Sequence, residues 1–218
     1  VESVGASGCA ATTRDDATGR ERLLRSMARV ADMRFAAALV DAADAREPVV
    51  VRTAALRGMV ALLDAARGDA TVTQQPTSDA STPRGPTRVE LADVIFAAVG
   101  DADVSIRRAA VEGLAQVGST DAHLQALLAR SSAGGEPDEG VRAAAWRGVM
   151  RIAVTRPAND ILALVERLPE NGSTRTQRAM ELLQAAEKSL VSSGAAASRE
   201  ELGRVRCRIA QCAIEANL

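Results

Sequence analysis

Three stretches of the chain align without gaps: Val51 to Gly58 (VRTAALRG), Ile106 to Gly113 (IRRAAVEG) and Val141 to Gly148 (VRAAAWRG). The shared pattern is β-branched, Arg, any, Ala, Ala, any, charged, Gly, and an apolar residue follows each time: Met59, Leu114, Val149. Ile106 and Val141 lie 35 residues apart, whereas Val51 and Ile106 lie 55 apart, an excess of 20. That excess equals the stretch 68–87, GDATVTQQPTSDASTPRGPT, which has almost nothing to bury and reads as a disordered insertion. With it set aside the period is constant. A further step of 35 reaches Thr176, where Ala179 keeps one of the two alanines. This marks a degenerate fourth unit, as expected where a stack ends. A period of this length implies one small structural unit, stacked on copies of itself because it cannot bury its apolar face alone.

Each unit reads as a pair of helices. In the second helix of each pair the apolar residues fall on one face. They are Val51, Ala54, Ala55, Gly58 and Leu62, then Ile106, Ala109, Ala110, Gly113 and Val117, then Val141, Ala144, Ala145, Gly148 and Ile152. A mid-helix Gly costs about 1 kcal/mol relative to Ala. Its recurrence at one offset points to close helix packing. First helices are predicted over 33–43, 89–99, 122–129 and 160–168, with flanking helices over 20–31 and 198–216. Asp103 and Asp138 are N-cap types just ahead of two second helices, and Pro48 and Pro137 suit a first turn or the residues before it. The expected fold is therefore all-α: an α-solenoid of about four helical hairpins plus flanking helices. Residues 20–218 form the repeat domain and residues 1–19 a disordered leader.

Composition agrees and excludes several functions. Aromatic residues are 1% of the chain, with one Trp, two Phe and no Tyr, which disfavours a β-sandwich or barrel. The net charge is −1, without the basic surplus that grips phosphates, and aromatic platforms for stacking bases are missing; no nucleic-acid partner is expected. His123 is the one histidine, so a multi-histidine metal site is ruled out. Cys207 and Cys212 lie five apart, and neither zinc nor redox motifs are spelled. No cofactor is expected. Basic charge is nearly all Arg, which reads as GC-rich bacterial coding. No apolar run reaches transmembrane length.

The pattern D-x-x-x-x-[VI]-R-x-A-A resembles the HEAT repeat family, an armadillo-like helical class, in its short bacterial form like that of phycobilin-lyase-type repeats. The resemblance covers residues 33–155 well and the rest loosely. Asp101 precedes Arg107 by six; Glu136 holds that place before Arg142, and Arg46 departs from it before Arg52. In the family the acid and arginine form a ladder between neighbouring repeats. The resemblance thus implies ladder roles for Arg52, Asp101, Arg107, Glu136 and Arg142, against the alternative that the arginines bind an anion or an acidic partner.

The resemblance also implies that second helices line a concave surface. Trp146 stands at the offset where the other units carry Leu56 and Val111, beside the core face, and reads either as a partner-binding anchor or as a ring packed on the next repeat. Arg57, Glu112 and Arg147 share an outward offset, as the edge of a partner-binding surface or a solvated helix face. Asp101 and Asp103 are explained by ladder and cap more cheaply than as cation ligands.

The function expected is a non-enzymatic protein-binding or scaffold module. The alternative, resting on the resemblance alone, is a HEAT-like lyase or chaperone-type protein acting on a chromophore-bearing partner. The chain opens on Val1, as a fragment, a processed form or an alternative start would. Residues 6–10, ASGCA, resemble the end of a bacterial lipoprotein signal, which implies lipidation of Cys9 and the cell envelope. The other reading is an unmodified leader on a cytoplasmic protein, since Glu2 stands where an apolar segment should be.

Overall fold

The computed structural model describes residues 6–30, 32–68, 86–118, 120–169, 172–192 and 199–216. Among these residues there are ten α-helices, a single 3-10 turn and no strand. They form two compact units, residues 1–118 and 119–218.

The first unit holds α1 (Ala6–Val30), a 3-10 turn (Met33–Phe35), α2 (Ala36–Ala42), α3 (Val49–Gly68), α4 (Arg88–Ala98) and α5 (Val104–Val117). Helix α3 is its hub and packs on α1, α2, α4 and α5. Helix α1 starts at Ala6 and includes most of the flanking helix expected over 20–31. No proline interrupts this stretch, and its Leu24 is 5% exposed. The side chain of Cys9, and with it the lipidation reading, lies outside the described residues. So do residues 69–85 of the expected insertion. The ends of that insertion have structural roles: Gly68 closes α3 and Thr87 caps α4. The cap is reciprocal, with Thr87 Oγ1 accepting from the Glu90 amide (3.3 Å) and Glu90 Oε2 accepting from the Thr87 amide (2.6 Å).

The second unit holds α6 (Asp121–Ser131), α7 (Glu139–Ala153), α8 (Ala158–Glu166), α9 (Ser173–Ser192) and α10 (Arg199–Ala216). Helix α6 packs on α7, and α9 packs on α7, α8 and α10. Thr120 caps α6 by accepting from the His123 amide (3.2 Å).

The repeat register survives in three dimensions. Every apolar position read from the three second helices is buried, and Val51, Ile106 and Val141 are fully buried. The residues after the glycines, Met59, Leu114 and Val149, are fully buried too. Helices α3, α5 and α7 each begin two residues before the aligned β-branched residue. The caps set that start. Asp103 Oδ1 accepts from the amides of Ser105 (2.7 Å) and Ile106 (3.3 Å), and Asp138 Oδ1 from that of Val141 (2.8 Å). Pro48 occupies the same register position ahead of α3 and has no side-chain acceptor to offer.

Two of the recurrent glycines, Gly58 and Gly113, mark close approaches. A Cβ on Gly113 of α5 would stand 2.5 Å from Val60 Cγ2 of α3, and one on Gly58 of α3 would stand 2.8 Å from Leu39 Cδ2 of α2. In α9 the register is kept only in part: Ala179 and Leu183 are buried at repeat offsets, but Met180 is half-buried, and Leu182, at the offset of Arg57, Glu112 and Arg147, is buried.

Candidate interaction surface

The ladder residues meet in the turns ahead of the second helices. In the first unit Arg52 of α3 forms an ion pair with Asp101, which lies ahead of α5, and joins one helix pair to the next. Both side chains are largely buried, with 13% and 16% exposed. Asp101 also accepts from the Asp103 amide (2.9 Å) through Oδ1. Arg107 stands six residues on, in the first turn of α5. Its guanidinium donates to the backbone carbonyls of Asp101 (3.0 Å) and Ala102 (2.8 Å). Burial alone would raise the Asp101 carboxyl. The hydrogen bonds from Arg52 and the Asp103 amide, with the charges of Arg52 and Arg107, outweigh it and hold the group below the ordinary carboxylate value.

The second unit repeats the turn. Arg142 donates to the carbonyls of Glu136 (2.9 Å) and Pro137 (2.7 Å), and Glu136 accepts from the Asp138 amide (3.1 Å). Glu136 is fully buried and faces Arg130 at 3.5 Å. Arg46, where the first pair would carry an acid, is exposed, and Arg52 turns instead to the Ala43 carbonyl (3.4 Å) and to Asp101.

Leu56 and Val111 are 1% and 0% exposed, so the offset read as lying beside the core face is part of the core in α3 and α5. Trp146, at the same offset in α7, is half-buried. Its indole N–H donates to Glu181 Oε2 at 2.6 Å, and the Arg178 guanidinium sits 4.7 Å from the ring centroid. Both partners belong to α9, so the polar edge and one face of the ring are engaged inside the second unit. Arg178 also donates to the Ser131 carbonyl (2.9 Å) and to Ser131 Oγ (3.1 Å) at the end of α6. Sequence reasoning missed Arg178 because it stands one place later than Arg52, Arg107 and Arg142 stand in their units.

Arg57, Glu112 and Arg147 are all exposed, on α3, α5 and α7. Val49 and Val50 share the solvent-facing side of α3 near Arg57 and are 36% and 49% exposed. They too escaped the sequence reading; their signal is register, since the matching residues are Val104 and Ser105 in α5, and Glu139 and Gly140 in α7.

A pocket of about 510 Å³ among α8, α9 and α10 carries Glu166, Arg175, Arg208 and Glu215, so its charges balance. Arg208 is bound to Glu166 at 2.6 Å. Burial pushes the Cys212 thiol there upward, which keeps it protonated. Among the described residues no group of three or more His, Cys, Asp or Glu is placed to hold a metal ion. No described helix is long and apolar enough to cross a membrane. Comparison with protein-family models gives no match, and comparison with curated proteins gives none either.

Proposed function

We propose that the chain is a non-enzymatic protein-binding or scaffold module, a short HEAT-like α-solenoid that presents its second helices to a partner protein. The observation that carries this reading is the shared register of α3, α5 and α7. The same offsets are buried in each, and the same offset turns Arg57, Glu112 and Arg147 outward. Stacked repeats of this kind offer an extended surface assembled from equivalent positions. The pair Arg52–Asp101 supports the ladder part of the reading, since it ties one helix pair to the next.

Photo-crosslinking in cells tests it. A crosslinking residue at position 57, 112 or 147 is expected to give discrete adducts with a partner protein. The same residue at Val89, exposed on α4, is expected to give none. Adducts of equal yield from all four positions, or from none, would remove the reading.

A further inference from the structure

We infer that a groove along α3 in the first unit receives an acidic, aliphatic segment of the partner protein; this rests on the protein-binding reading above. The groove has a volume of about 240 Å³ and lies among α1, α3 and α5. That is below the usual range of small-molecule pockets and suits one or two side chains of a docked polypeptide. Val49, Val50 and Thr53 form its apolar side, with Arg57, Arg25 and Glu21 around it. Thr53 donates its hydroxyl to the Val49 carbonyl (2.7 Å), which satisfies that group within α3.

The valines are not required by the repeat. The equivalent positions of α7 are Glu139 and Gly140, and that helix forms with the same buried register. Exposed β-branched residues at the start of a helix bring little helical stability of their own.

The charge of the groove identifies the occupant. Glu21 is neutralised by its ion pair with Arg25 in the next turn of α1. Arg57 has no hydrogen-bond or ion-pair partner among the described residues. Among the described residues the groove therefore keeps one spare guanidinium beside its apolar wall. Pro48 leaves the first amides of α3 without a side-chain cap from that position, which adds partial positive charge at the valine end. An aliphatic side chain with a carboxylate about two helical turns away matches both features, and a guanidinium recognises a carboxylate in bidentate fashion.

A phage-displayed random-peptide library panned against the full chain tests this, with binding of the enriched peptides measured by calorimetry. Enriched peptides are expected to share an aliphatic residue and an Asp or Glu. Arg57→Glu and Val50→Asp are each expected to weaken them at least about tenfold. Arg147→Glu, in the second unit, should leave them unchanged. All three residues are exposed, so unaltered circular dichroism serves as the folding control. Peptides without a carboxylate, or undiminished binding to Arg57→Glu, would overturn the inference. Binding lost with Arg147→Glu instead would overturn the groove and leave the protein-binding reading standing, whereas a library with no enriched peptide would sink both. A molar mass by light scattering that halves with Arg57→Glu would make the occupant a second copy of this chain, and would equally overturn it.

Discussion

Gly113 has no room for a methyl group. Its Cβ would meet a γ-carbon of Val60, a β-branched side chain that cannot swing away, at 2.5 Å. Gly113→Ala is expected to lower stability by about 1–3 kcal/mol despite the better helix propensity of alanine. Gly58→Ala meets only the flexible end of Leu39 and should cost less. Gly19→Ala on α1 meets nothing within 4 Å and should stabilise by about 0.5–1 kcal/mol. Urea midpoints of the three variants check that order. Asp101 gives a pH test. Its carboxyl titrates lower in the folded state than in the unfolded chain. Its contribution is therefore present above the unfolded carboxylate value and disappears as pH falls through the folded value. Asp101→Asn is expected to cost about 1–3 kcal/mol at neutral pH, because Arg52 keeps a largely buried charge without its partner. The gap between variant and parent should close in acid. A gap that persists there would mean that the carboxylate is not the source.

At the scale of elements, much was legible and the misses have physical causes. The buried stripes of α3, α5 and α7 follow from a 35-residue period laid on helical spacing, and the caps Asp103 and Asp138 follow from residue type and place. The surroundings of Trp146 were not legible. They depend on α9, whose sequence has drifted from the repeat so that Arg178 and Glu181 carry no register signal. Position 146 ranks as variable until the facing helix is known. Trp146→Phe keeps the ring and removes the bond to Glu181, and is expected to cost about 1–2 kcal/mol. Trp146→Ala should cost more, since it also removes the surface on which Arg178 stacks. Helix α10 is tied to α9 by Arg206–Glu187 at 2.7 Å, an exposed pair. Arg206→Ala is expected to cost less than about 1 kcal/mol, and less still in high salt.

At the scale of the whole molecule, the register runs along a chain whose helices gather into two compact units. Those units comprise residues 1–118 and 119–218. Each compact unit has its own buried core. Residues 119–218 expressed alone are therefore expected to give a helical circular dichroism spectrum and a cooperative thermal transition. A featureless melt would show that this core is insufficient. Helix α1 contains most of the flanking helix read over 20–31 and extends back to Ala6, in a polar sequence that lies outside the repeat and has no sibling to align with. The contact between Trp146 and α9 has a practical side. The chain has one tryptophan and no tyrosine, so ultraviolet-excited emission comes from a single indole, poised between a carboxylate and a guanidinium. That ring is an intrinsic fluorophore placed where α7 meets α9. Its wavelength and intensity will follow the parting of those two helices in real time, with no label added.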